Sequence, residues 1–289
     1  MKLSFSRRKS LTGYIFVGPW LLIGIAMLVY PFIFSLLLSF SELKNIDFSN
    51  MSFVGFQNYK KAFVTDVEFL PLFWKTVSDT LINLPMIIVT SLLLAIMVSR
   101  NIKGQGFFRS VFFLPVLLGT GFVMNQLLGA GVDDSSMTVA RGILMPQVVQ
   151  DYLGPEVTDV IGGFFSRITM VLWKSGVQII MTLAGIQGIS SALYEAARVD
   201  GATEWEMFWK ITLPMITPVL LLTTVYTIVA STVEDSDVVN YIVNTAFKNT
   251  NVNFEYSAAM GWIYFIFILA LIGIVFVLMK PFVNRVAEV

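Results

Sequence analysis

Residues Ser10–Ser41 read SLTGYIFVGPWLLIGIAMLVYPFIFSLLLSFS, a run without a single charged side chain. About 20 consecutive apolar residues in a helix cross the ~30 Å hydrocarbon core of a bilayer, so this run is long enough to span one. Five more stretches have the same character: Thr80–Ser99, Ser110–Val132, Gly162–Ile189, Ile211–Val233 and Tyr256–Met279. The fourth stands apart because it contains Arg167 and Lys174. Alternation of apolar and polar residues, the mark of a half-buried strand, is absent. Open strands in lipid also leave backbone groups unpaired. The expected fold is all-α, a polytopic membrane bundle of six transmembrane helices.

Composition agrees. Hydrophobic residues make up 56% of the 289 and charged ones 13%, where soluble domains carry about 25% charged residues. Net charge is zero, so no overall basic field argues for nucleic acid. With no cysteine and no histidine, disulfides, thiolate nucleophiles and imidazole bases are unavailable, and the ligands transition metals prefer are missing. No G-x-x-x-x-G-K-[ST] loop occurs, so nothing in the chain cradles a nucleotide phosphate. No enzyme activity, cofactor or metal is expected of it.

Lysine and arginine set the orientation. One side of a six-span chain carries Lys2, Arg7, Arg8, Lys9, Arg100, Lys103, Arg109, Arg198, Lys210, Lys280 and Arg285; the other carries Lys44, Lys60, Lys61, Lys75, Arg141 and Lys248. Both termini are therefore expected in the cytoplasm. Arg7-Arg8-Lys9 ahead of an apolar run has the outline of an export signal. The run is far longer than a signal's 7–15 residues, however, and reads as a first anchor. Prolines inside the spans (Pro19, Pro31, Pro85, Pro115, Pro218) point to helices whose freed backbone groups are re-satisfied by neighbours.

The loop between spans four and five reads SSALYEAARVDGATEWEMFWKITLP over Ser190–Pro214. Its residues predict two short helices about a bend. Ser190 or Ser191 caps the first, and Gly201 ends it by accepting a left-handed backbone. Thr203 caps the second and Glu206 completes a capping box. Pro214 then opens the fifth span, where its missing N–H costs nothing. Large aromatics (Trp205, Phe208, Trp209), small alanines and four acids make this a docking element that fits a partner's groove. The alternative is a helix lying on lipid, and acids facing anionic headgroups weigh against it.

Glu195-Ala196-Ala197, then three residues, Gly201, nine residues and Ile211-Thr212-Leu213-Pro214 resemble without a gap the EAA loop of ABC importer permeases. The Asp200-Gly201-Ala202 form with Phe208 is similar to the carbohydrate-uptake branch. So are Tyr14–Trp20 with Tyr30-Pro31, Phe53–Tyr59, and Phe107–Ser110 with Phe113-Leu114-Pro115. Gly131–Asp159 shows no family pattern, and Asp79-Thr80 departs from the usual Asn-Thr. The resemblance implies the type I, MetI-like transmembrane fold and a cytoplasmic coupling helix seated in an ATPase cleft. On it the ATPase-coupling residues are Glu195, Ala196, Ala197, Asp200, Gly201, Ala202, Phe208, Ile211, Leu213 and Pro214. It also implies the partners: a second homologous permease, two ATP-binding cassette subunits that bind ATP and Mg, and an extracellular or periplasmic substrate-binding protein. The implied location is the bacterial cytoplasmic membrane.

An ionisable group within a span is a functional candidate. Lys174 sits beside Trp173 in span four, with Gln178 and Met181 or Thr182 following on roughly the same face. On span five Thr223, Thr227, Ser231 and Glu234 form one polar stripe, which in lipid must face protein or water. A sugar needs hydrogen-bond partners and an aromatic face, and the candidate substrate-binding residues are Trp173, Lys174, Thr227, Ser231 and Glu234. Lys174 can instead snorkel to the outer interface, Glu234 can lie in water at the helix end, or the two can pair.

The expected layout is a cytoplasmic N-terminus, first span and first external loop over 1–75, a core transmembrane domain over 76–280 with the coupling loop at 190–214, and a cytoplasmic tail over 281–289. The function expected is a permease subunit importing a sugar or oligosaccharide by alternating access. The rivals are an ABC permease for a peptide, phosphate or amino acid, and a gradient-driven transporter. The latter predicts paired intramembrane acids and inverted repeats, neither of which is evident.

Overall fold

The structure, a computed structural model, describes residues 5–43, 50–99, 106, 154–233, 236–247 and 252–287. Helix dominates these residues. Four helical stretches among them are long and apolar enough to cross a membrane: Phe16–Ser39, Phe69–Ser99, Glu204–Val233 and Phe254–Asn284. A fifth arises if Gly176–Gln187 and Ser191–Val199, bent by 63°, are counted as one. The expected third span, Ser110–Val132, lies outside the described residues.

The chain divides into two compact units, residues 1–76 with 235–269, and 77–234 with 270–289. In the first, helix α1 (Phe5–Ser39) runs through Pro19 and Pro31 without a break. Its apolar side chains face outward, Phe16 and Trp20 each 82% exposed, which suits a helix surrounded by hydrocarbon. Strands β1 (Ser41–Leu43) and β2 (Met51–Phe53) then pair antiparallel, Ser41 opposite Phe53. This corrects the helix-only expectation. The strands are short and lie past the apolar run, and three-residue strands are too short to show alternation. Asn58 on the short helix α2 (Gln57–Lys60) donates to the carbonyls of Ser39 at 3.1 Å and Ser41 at 2.9 Å. Those bonds pin the hairpin to the end of α1.

Helix α3 (Phe69–Ser99) begins eleven residues before the expected Thr80. Asp66 explains the earlier start. Its Oδ1 accepts the N–H groups of Glu68 (2.8 Å) and Phe69 (2.9 Å), so the first turn is capped from outside the apolar run. Phe69 and Ala62 pack with Val238 of a helix over Asp237–Phe247, here α9, and with Tyr256, Met260 and Tyr264 of one over Phe254–Ala287, here α10.

In the second unit the expected continuous fourth span is interrupted. Helix α4 (Pro155–Lys174) stops, Ser175 sits at φ −88° and ψ 0°, and helix α5 (Gly176–Gln187) starts afresh. A Ser-Gly pair is a recurrent kink site. The Ser175 hydroxyl bonds the Leu172 carbonyl at 3.0 Å and competes with the helical ladder. Ile179 and Leu183 of α5 close a core with Ala95 and Val98 of α3. Helix α6 (Ser191–Val199), helix α7 (Glu204–Met207), a wide turn over Phe208–Thr212 and helix α8 (Leu213–Val233) follow.

Pro214 does not open the fifth span. It lies inside a helical stretch that runs from Glu204 to Val233. An ordinary helix would put its ring against the carbonyl four residues back. Here the preceding turn is one residue wider, and the Leu213 N–H reaches the Phe208 carbonyl five residues back. The wide turn accommodates the proline.

Candidate coupling hairpin and polar helix contact

The α6–α7 hairpin is fixed by local chemistry. At the end of α6 the Ala202 N–H reaches the Ala197 carbonyl at 2.9 Å and the Gly201 N–H reaches that of Arg198 at 3.1 Å. With Gly201 at φ +80°, this is a Schellman cap. Thr203 and Glu206 then form a full capping box. The Glu206 N–H donates to Thr203 Oγ1 at 3.3 Å, and the Thr203 N–H donates to Glu206 Oε2 at 3.0 Å. Ser190 is the N-cap of α6, but its hydroxyl makes no capping bond, contrary to expectation. The backbone there is held instead by the Leu193 N–H on the Ser190 carbonyl at 3.2 Å.

One further tie sets the hairpin's angle, and an aromatic cluster stiffens its second arm. The Tyr194 hydroxyl stands 2.9 Å from Thr212 Oγ1, joining α6 to the wide turn. Trp205 and Trp209 meet edge to face at 5.5 Å, with Phe208 beside both. Of the ten coupling candidates, Glu195, Ala196, Asp200 and Gly201 lie on the exposed face; Ala197, Ala202, Phe208, Ile211, Leu213 and Pro214 are half-buried at its base. Val199 is 88% exposed and Trp205 69%. A rigid backbone thus presents apolar and acidic groups outward together, which is the chemistry of a docking knob.

Along α8 the polar stripe turns inward. Thr223 and Thr227 are fully buried, and each hydroxyl donates to the carbonyl four residues back, at 2.8 and 2.7 Å. Gln178 of α5 donates through Nε2 to Thr227 Oγ1 at 3.2 Å. Gln178 Oε1 and the hydroxyl of Thr182, one turn further along α5, are buried without a partner among the described residues. Buried polar atoms rarely go unpaired, and each exception asks for an explanation.

The five substrate candidates fare unequally. Thr227 sits at the α5–α8 contact, and Ser231 is half-buried further along α8. Lys174 is exposed at the end of α4, whereas Gln178 and Thr182 are buried. The expected common face therefore does not carry across the break at Ser175, which resets the helical register. The Trp173 side chain and Glu234 lie outside the described residues, and with them the Lys174–Glu234 pair. What sequence reasoning missed is a different pair. Arg167 of α4 stands 3.5 Å from Asp79 of α3. Asp79 is the residue that departs from the family's asparagine, and a charged partner in the fourth span was the available signal.

In the first unit Asp66 holds three elements. Besides capping α3 it accepts, through Oδ2, the hydroxyls of Tyr241 (2.9 Å) and Tyr256. Burial alone would raise its carboxyl pKa. The hydrogen bonds from Tyr256, the Phe69 and Glu68 N–H groups and Tyr241 outweigh burial and hold it below the ordinary carboxylate range. Burial, then the bond to Asp66, pushes the Tyr241 phenol well above its usual value.

Residues 67–287 match the family described as "Binding-protein-dependent transport system inner membrane component". Over 230 residues, 77% of this chain and 68% of the relative, the sequence is 31% identical to the arabinooligosaccharides transport system permease protein AraP of Bacillus subtilis (strain 168). It is 27% identical to the lactose transport system permease protein LacF of Rhizobium radiobacter, covering 84% of this chain and 80% of that one. A chain in the crystal structure of a bacterial alginate ABC transporter, in complex with an alginate pentasaccharide-bound periplasmic protein, aligns over 96% of both chains. Its TM-score is 0.65 at 21% identity, which is a likeness of fold.

Proposed function

This chain belongs to the family of binding-protein-dependent transport system inner membrane components, and on that premise we propose that it is a permease subunit of an ATP-driven importer of sugars or oligosaccharides. Relatives named for arabinooligosaccharide and lactose transport support the substrate class. Six spans, both termini in the cytoplasm and a core domain over 76–280 complete the reading. A second homologous permease encloses the pathway with it, two ATPase subunits supply nucleotide chemistry, and a periplasmic or extracellular binding protein delivers the solute. The chain itself carries no catalytic step and no cofactor.

One observation carries the mechanism. The capped hairpin with Glu195 and Gly201 on its open face hangs from a single helical stretch, Glu204–Val233, that also holds Thr227. An ATPase pair closing on that hairpin moves α8 as a rigid body, and the α5–α8 contact around Gln178 and Thr227 takes up the motion. Trp173, Lys174, Ser231 and Glu234 remain substrate candidates beside Thr227.

The test is uptake of radiolabelled arabino-oligosaccharide and lactose by proteoliposomes holding the whole importer. ATP-dependent accumulation of either, abolished by Glu195→Lys together with loss of the co-purifying ATPase, supports the reading. Undiminished ATPase association in Glu195→Lys, or accumulation of peptide or phosphate instead, overturns it.

A further inference from the structure

Helices α8 and α10 leave an open groove of about 240 Å³ between them, lined by Leu221, Phe276, Val277, Lys280, Val283 and Asn284. Its wall is apolar except at one end, where Lys280 and Asn284 stand one helical turn apart on the same face of α10. Lys280 is exposed and forms no ion pair among the described residues. We infer that this groove seats an anionic phospholipid, with its phosphate at Lys280 and Asn284 and one acyl chain along Leu221, Phe276 and Val277.

Depth supports the assignment. Between Glu255 and Lys280 α10 has no charged residue. That separation of 25 residues (280 − 255) rises ~38 Å at 1.5 Å per residue, against a hydrocarbon core of ~30 Å. Both charges therefore reach headgroup level, and Lys280 meets lipid phosphates. Phe276 lies one turn deeper, where acyl chains begin. The ammonium of Lys280 has donors only and the Asn284 amide offers an N–H beside it, which fits a phosphate. A groove of basic and apolar character between spanning helices is the form that anionic-lipid sites take.

Free phosphate shares the Lys280 chemistry but makes no use of the apolar wall. The inference rests on membrane insertion alone and is independent of the transported solute.

The test uses the complete importer in nanodiscs of equal parts dioleoyl-phosphatidylglycerol and dioleoyl-phosphatidylcholine, with Val277 replaced by p-benzoylphenylalanine. After irradiation, intact mass reports what was captured. Phosphatidylglycerol adducts should exceed phosphatidylcholine adducts about fivefold, the ratio one basic residue near an anionic surface commands. Lys280→Gln should bring the ratio to about one, and Lys280→Arg should preserve it. Equal adducts in the parent protein, or a protein-sized adduct from a second permease chain, would overturn the lipid assignment. Acyl adducts of either headgroup report insertion separately.

Discussion

Gly185 of α5 and Val219 of α8 meet so closely that a Cβ placed on the glycine would stand 3.0 Å from Val219 Cγ2. The two helices are pressed together at a point four residues before Thr223, whose hydroxyl bonds the Val219 carbonyl at 2.8 Å. Small residues permit such approaches in membrane bundles. Gly185→Ala should therefore destabilise the importer by about 1–3 kcal/mol, the range for overpacking a filled contact. Val219→Ala in the same chain should restore most of it. Thermal unfolding of the single and double variants in detergent checks this, and simple additivity of the two changes would contradict the contact.

The α5–α8 seam also carries the unpaired Gln178 Oε1 and Thr182 hydroxyl. Thr227→Val removes the partner of Gln178 Nε2 and should cost about 1–3 kcal/mol, because a buried donor is left orphaned. Gln178→Leu removes both the bond and the orphaned acceptor, so it should cost less. If the seam meets substrate during transport, Gln178→Leu lowers uptake despite its milder effect on stability. Parallel melting and uptake curves separate the two.

Asp66 makes the first unit acid-sensitive. Its carboxyl is held below the ordinary range in the folded chain. The stability it contributes is therefore complete above the unfolded value of ~3.9 and is lost as pH falls through the lower folded value. Hydrogen exchange across residues 68–76 should accelerate below about pH 4 in the parent. Asp66→Asn should exchange faster at neutral pH and show no acid step.

Arg167 and Asp79 stand 3.5 Å apart with 40% and 49% of their side chains exposed. A pair so exposed contributes about 0–1 kcal/mol. Asp79→Asn and Arg167→Gln should therefore each lower stability by no more than that, and the double variant by no more than either single. Thermal unfolding measures it; a double-variant loss equal to the sum of the two singles would refute the pairing.

Gly201 has no atom within 4 Å of a built Cβ, so its cost of substitution is backbone alone, at φ +80°. Gly201→Ala should destabilise the hairpin by about 1 kcal/mol and Gly201→Asn by less, since asparagine tolerates the left-handed region. Binding-protein-stimulated ATP hydrolysis by the importer should fall in the order Gly, Asn, Ala. A Gly201→Ala importer with full stimulation would remove the hairpin from the coupling path.

Legibility in the sequence tracked distance along the chain. The apolar runs announced the spans because hydrocarbon demands continuous hydrophobicity whatever the neighbours are. Gly201, Thr203 and Glu206 announced the bend because a Schellman cap and a capping box are closed within six residues. The break at Ser175 was hidden, because serine and glycine are unremarkable in a membrane helix until the ladder fails there. The interior place of Pro214 is not legible because a wide turn has no composition of its own. The Asp66 bonds to Tyr241 and Tyr256 cross 175 and 190 residues, and the Arg167–Asp79 pair likewise joins residues far apart in the chain. No local periodicity records such pairings.

The wide turn over Phe208–Thr212 has a consequence for how the hairpin is aimed. It holds one supernumerary residue relative to a regular helix. Deleting a single codon there would let the helix wind normally and set the Pro214 ring against the carbonyl four residues back, kinking the stretch beneath the hairpin. Glu195 and Gly201 would keep their local shape and tilt elsewhere. The heading of the intracellular knob is thus written into the count of residues ahead of Pro214, separate from the strength of any bond within it.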